Sequence, residues 1–145
     1  MRIVLQRVAR AEVRVGREVV ARIGRGLLLL VGVERGDEPA AAEAAARKIA
    51  GLRVFDDPGG KMNLDLAEVG GEALVVSQFT LAGSLARGRR PSFDGAAPPT
   101  EAEALVARLV ARLEAADLRV QTGVFGARME VDLVNDGPVT FVLDS

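Results

Sequence analysis

The run Gly-Leu-Leu-Leu-Leu-Val-Gly-Val at 26–33 restricts the fold more than any other stretch of the chain. Eight residues without a polar side chain, held between Arg25 and Glu34, are too short for a buried helix. They read as a strand covered on both faces. Such a strand requires a sheet with apolar material above and below it, and the remaining sequence supplies candidates. Residues 2–8 alternate as a half-buried strand, and 12–15 with 18–23 form a hairpin around Gly16-Arg17. Further strands are expected at 52–55, 73–76, 128–134 and 139–143, with a tight turn at Asp56-Asp57-Pro58-Gly59-Gly60. Asn135-Asp136-Gly137-Pro138 has the composition of a turn joining the last two.

Two helices complete the pattern. Asp37-Glu38-Pro39 starts the first with an acidic cap and a proline, followed by alanines through Ala46 and an inward Ile49. Pro98-Pro99 leads into the second, where Thr100 and Glu103 have capping-box spacing. Leu105, Leu109 and Leu113, with Val106 and Val110, make its apolar stripe. The order of elements predicts an α+β fold: a strongly curved, barrel-like β-sheet core with two covering helices. At 145 residues the chain fits a single domain, 1–145, able to bury roughly 70% of its unfolded surface without a staple.

Composition narrows the chemistry. The chain has no His, Cys, Tyr or Trp. A histidine base, a Ser-His-Asp triad, a thiolate nucleophile, a tyrosine acid and a His- or Cys-bearing metal site are therefore excluded. No cofactor or metal is expected. Any catalysis must draw on carboxylates, hydroxyls, amides, arginine, the backbone or the substrate itself. A net charge of −1 leaves no overall field for nucleic acid, so such a partner would need a local patch. Met1-Arg2-Ile3-Val4-Leu5 leads directly into a strand, and no apolar run reaches the roughly 20 residues that span a bilayer. A cytoplasmic protein with no membrane partner is expected.

Four constellations could carry function, and each has an ordinary alternative. Strand 73–76 ends in Ser77-Gln78-Phe79-Thr80, either a strand end bonding to its own backbone or a pocket wall. In the second case the N–H groups of Phe79 and Thr80 could steady a tetrahedral oxyanion. With no histidine to activate it, Thr80 suits positioning better than nucleophilic attack. Gly137-Pro138 is either part of a plain turn or, if cis, a rigid pair of carbonyl acceptors for an ammonium group. Phe125, Gly126, Ala127 and Met129 are either core residues or a slot for a flat base. Arg87, Arg89 and Arg90 are either a solvated loop or phosphate contacts.

Read together, the segments resemble the D-aminoacyl-tRNA deacylases of the bacterial and eukaryotic type over essentially the whole chain. The resemblance is carried, in order, by QRV (6–8), FDDPGGKMNL (55–64), VVSQFTL (75–81), RGRRPSF (87–93), QTGVFGARMEV (121–131) and LVNDGPVTF (133–141). SQFTL and NDGPVT are the family's two signature motifs, and both are intact.

The resemblance implies a homodimer that hydrolyses the ester between a D-amino acid and the terminal adenosine of tRNA. It implies glycine mischarged on tRNA-Ala as a further substrate, and assistance from the RNA's own ribose hydroxyl. By the same resemblance, Gly137 and Pro138 hold the substrate's amino group in the partner subunit's site. Arg7 braces their loop, Ser77, Gln78, Phe79 and Thr80 line the ester, and Phe125, Gly126, Ala127 and Met129 receive the adenine. An editing deacylase for a mischarged L-amino acid and a non-catalytic tRNA-binding module are the alternatives.

Overall fold

The computed structural model describes residues 1–145. β1 (Arg2–Val15) is one 14-residue strand rather than separate pieces at 2–8 and 12–15. Ala9 and Arg10 are exposed and break the apolar alternation, yet Arg10 stays in the ladder opposite Val134. β2 (Glu18–Ile23) closes the expected hairpin, with Gly16 at φ +61° in the turn. β3 (Gly26–Gly32) is the apolar run, antiparallel to β1. α1 (Pro39–Ala50) is followed by a small ribbon, β4 (Phe55–Asp56) with β5 (Met62–Leu64), so β4 begins three residues later than expected.

β6 (Glu72–Ser77) lies parallel to β3, and a 3₁₀ turn, Phe79–Ala82, follows it. α2 (Pro99–Ala115) then crosses over to β7 (Arg119–Thr122), parallel to β6. β8 (Glu130–Asp144) runs antiparallel to β1 along nearly its whole length.

The sheet order is β2-β1-β3-β6-β7, with β8 on the other edge of β1. β1 therefore pairs with β3 through its first half and β2 through its second, and this shared, bent strand produces the nearly closed, barrel-like sheet. The alternation of β3 explains its unbroken apolarity. Leu27, Leu29 and Val31 join a 21-residue core with α1 and α2, while Leu28 joins Val8, Val13, Ile23, Leu74 and Val76 in an 8-residue core inside the curve. Leu105, Leu109 and Leu113 are the buried stripe of α2, each contributing about 1.5–3 kcal/mol by burial. The fold class is the one expected, α+β with two covering helices.

Both expected caps differ. Glu38 occupies the N-cap of α1 without a side-chain bond, and Asp37 instead accepts the Glu34 N–H at 2.7 Å and the Met1 amino group at 2.7 Å. In α2 the N-cap is Pro98, so Thr100 already lies inside the helix and forms no capping box. Proline at the first helical position needs no N–H partner and starts the helix early.

The last expected turn is not a reversal. Asn135 pairs with Val8 and Thr140 with Gln6, so the four residues Asp136–Val139 stand opposite Arg7 alone. Turn-forming residues here extrude a bulge from one continuous strand line. No helix is long and apolar enough to cross a membrane.

Candidate active site

β3, β6 and β7 are mutually parallel and end at the same edge. Crevices at the carboxyl ends of parallel strands are common ligand sites, because the chain must leave the sheet there. The ladder is prolonged at this edge by Gln78 N–H to Val31 O (2.7 Å) and Gly123 N–H to Val75 O (3.0 Å). The chain then turns away through Phe79–Ala82, closed by bonds that Leu81 and Gly83 donate. Gly32 lets the turn sit against β3: a Cβ there would lie 2.7 Å from Leu81 Cβ and 3.0 Å from Gln78 O.

A cavity of about 650 Å³ occupies this edge. Its walls bring together Ser77, Gln78 and Phe79 from the end of β6 with Phe125, Gly126, Ala127 and Met129 from the loop after β7. Two of the expected constellations thus meet in one place. Thr80 is exposed beside it rather than lining it, and its Oγ1 accepts a hydrogen bond from Gln78 Nε2. No Asp, Glu or Lys lines the cavity, so the chain offers no general base there. No group of three or more acidic side chains converges to hold a metal ion.

The remaining wall was not legible in the sequence. The segment 83–97 folds back on the end of β3 through Arg35 N–H to Gly95 O (2.8 Å), Ala97 N–H to Val33 O (3.1 Å) and a bridge between Glu34 and Ala96. It delivers Phe93, Ala96 and Ala97 to the cavity that Val33 and Arg35 also line, and Pro98 and Pro99 at the start of α2 continue that wall. Phe93 meets Phe79 edge to face, with centroids 5.1 Å apart at 63°. Phe93 closes the RGRRPSF motif, which was the one available signal; Arg35 carried none. Arg87, Arg89 and Arg90 are exposed in the same segment and do not line the cavity.

Gly137 and Pro138 lie elsewhere on this chain, exposed in the β8 bulge. Their peptide bond is cis. Gly137 has φ +129°, and a Cβ on it would lie 2.6 Å from Val139 Cγ2 and 3.2 Å from Arg7 Nη2. Arg7, 6% exposed, is the only buried charged residue. Its guanidinium donates to Val54 O (2.8 Å) and Asp136 O (3.2 Å) and forms ion pairs with Asp56 and Asp136. Asn135 Nδ2 spans the bulge by donating to Arg7 O (3.0 Å) and Val139 O (2.9 Å).

Comparison with known proteins places this arrangement. The family model described as D-Tyr-tRNA(Tyr) deacylase matches residues 4–144. The D-aminoacyl-tRNA deacylase of Symbiobacterium thermophilum is 58% identical over 145 residues, covering 100% of this chain and 96% of that protein. The D-aminoacyl-tRNA deacylase of Geobacter sulfurreducens is 54% identical, covering 100% and 95%. A solved structure named c-Myc DNA unwinding element binding protein superposes with a TM-score of 0.93 at 40% identity, covering 100% of this chain and 99% of that one. A second, described as a probable eukaryotic D-amino acid tRNA deacylase, shares the fold at a TM-score of 0.82 and 22% identity, covering 99% and 98%. With its full length matched by these relatives, the chain belongs to the D-aminoacyl-tRNA deacylase family.

Proposed function

We propose that this protein hydrolyses the ester joining a D-amino acid to the 3′-terminal adenosine of tRNA, releasing the free D-amino acid and tRNA. The observation that carries this reading is the composition of the cavity. An apolar slot with Phe125 and Met129 suits a flat base, and beside it stand a hydroxyl, an amide and a turn start with no acid or base among them. Such a site can bind and polarise an ester. It has no side chain that would abstract a proton from water.

The substrate supplies what the protein lacks. The ribose hydroxyl vicinal to the ester relays the proton as water attacks the carbonyl carbon, and the bond to the ribose oxygen breaks with that oxygen taking up a proton. Ser77, Gln78 and Phe79 line the reacting ester with Thr80 at its edge, and the N–H groups of Phe79 and Thr80 face the developing oxyanion. Thr80 positions the ester; no base stands ready to make it a nucleophile.

Handedness is screened by Gly137 and Pro138 of a second copy in a homodimer, which hold the amino group through their carbonyl oxygens. With amine and ester both fixed, an L side chain collides with that backbone and a D side chain points outward. Glycine has nothing to collide, so glycyl-tRNA formed on tRNA-Ala is also cleaved. Support comes from the intact SQFTL and NDGPVT motifs and from the bracing of the bulge by Arg7. Arg87, Arg89 and Arg90 form the local basic patch for the acceptor stem.

The test is hydrolysis of matched D- and L-aminoacyl-tRNAs. Rapid release from the D-ester with the L-ester intact is expected; equal rates would refute the chiral mechanism. The name of the 40%-identical structure favours one second reading, nucleic-acid binding without hydrolysis. In that case both esters would be bound and left intact.

A further inference from the structure

Among the residues that line the cavity, only Arg35 is charged. Its backbone is fixed by the Gly95 carbonyl at 2.8 Å, and its Nε donates to Asp94 O at 3.1 Å. The first bond fixes the backbone just beyond the end of β3, and the second tethers the exposed side chain there. Neither Nη group of the guanidinium makes a hydrogen bond or an ion pair within the chain, and no carboxylate lines the cavity. What sets Arg35 apart is its place at the cavity, since Arg17, Arg47, Arg87, Arg89, Arg90 and Arg128 are also without a carboxylate partner but do not line it. The arginines that are paired with carboxylates, Arg2, Arg14, Arg22, Arg108 and Arg112 among them, all lie away from the cavity. An oriented, unneutralised guanidinium at the rim of an otherwise uncharged pocket is suited to one kind of group, an oxyanion held by paired N–H donors.

We propose that Arg35 is the contact for the phosphodiester on the 5′ side of the substrate's terminal nucleoside. This rests on the functional reading above and extends it from the nucleoside to its phosphate. A base seated between Phe125 and Met129, with its ester at Ser77–Phe79, has a single anion near enough to meet the mouth: the phosphate on the 5′ carbon of the same ribose. Arg35 then anchors the far side of the ribose, opposite the ester, and fixes which way the sugar lies. This explains how a protein of net charge −1 can select a charged RNA end. One placed cation at the mouth replaces a general field.

The experiment uses two small esters, D-aminoacyl-adenosine and the same ester carrying a 5′-monophosphate, with D-aminoacyl-tRNA alongside. The quantity read is the ratio of kcat/KM for the phosphate-bearing ester to that for the phosphate-free one, in the full-length protein. Arg35→Ala is expected to lower this ratio about tenfold, mainly through KM, and Arg35→Lys to restore part of it. With tRNA, the log–log salt dependence of binding is expected to become shallower by about 0.7 in Arg35→Ala, the loss of one single-strand phosphate contact.

A ratio equal to that of the wild type overturns the inference. That includes the case in which both esters slow together, as loosening of segment 83–97 would cause. Wild-type protein inert toward D-aminoacyl-tRNA and both esters removes the functional reading itself, and this inference with it. An active wild type whose ratio Arg35→Ala does not change removes this inference alone.

Discussion

Arg7 and Arg35 show what burial does to one side chain. Arg7 is sealed between the β8 bulge and the β4 end of the molecule, with two carbonyls and two carboxylates around it. Arg35 stands at the cavity mouth with one carbonyl. A buried guanidinium must have its hydrogen bonds satisfied internally, so it becomes part of the framework. An exposed one keeps its donors for a ligand. The two corners also differ in backbone. The bulge admits only glycine at 137, whereas segment 83–97 is held by ordinary backbone bonds to the end of β3.

The largest expected effect tests this division directly. Arg7→Ala strands the Val54 and Asp136 carbonyls and empties a buried volume, and it should cost about 3 kcal/mol of stability. Arg35→Ala should stay within about 0.5 kcal/mol of the parent. Urea unfolding of both variants, compared at constant slope, measures the difference. Similar midpoints for the two would mean that water replaces the Arg7 guanidinium, and the distinction between framework and ligand arginine would fail.

Gly137→Ala sharpens the same comparison from the backbone side. At φ +129° an L side chain is strained, and its Cβ would meet Val139 Cγ2 at 2.6 Å. The expected loss is about 1–3 kcal/mol, again read from the urea midpoint. Amide exchange should be faster at Val139 and Thr140 while that of β3 is unaltered, because Leu27–Val31 lie in cores the bulge does not touch. Faster exchange throughout the sheet would show that the bulge is part of the global framework instead of a local corner.

How much of this was legible beforehand follows from which forces leave a mark on neighbouring residues. β3 was legible because burial on both faces suppresses every polar side chain in a row. The α2 stripe was legible because Leu105, Leu109 and Leu113 recur at helical spacing. β7 was not, since Arg119–Thr122 offers four residues with only Val120 half-buried and no alternation to detect. The division of β8 into two strands failed for a topological reason. Asn-Asp-Gly-Pro favours a reversal locally, but β1 pairs on both sides of it and holds the strand to one line. At the cavity, the motifs contain Ser77, Gln78 and Phe79 with Phe125, Gly126, Ala127 and Met129, whereas Arg35 and Phe93 come together only because residues 95–97 pair with the end of β3. Such long-range pairing leaves no local pattern.

The smallest effect belongs to a third setting of arginine. Glu43 on α1 accepts from Arg108 and Arg112 on α2, giving this cluster nearly as many contacts as Arg7. Those hydrogen bonds, Arg108 first, hold the half-buried Glu43 carboxyl below the ordinary glutamate range. A carboxyl lowered in the folded state stabilises that state above its unfolded value and loses the contribution as pH falls through the lowered one. Glu43→Gln should therefore lower stability at neutral pH by a small amount and flatten the decline on acidification by that same amount. Urea midpoints from pH 7 down to about pH 3 follow both effects. If burial rather than number of partners decides an arginine's weight, this cluster must rank far below Arg7, since exposed pairs are screened and gain little. A loss at neutral pH as large as that of Arg7→Ala would reverse the ranking and make partner number the deciding quantity.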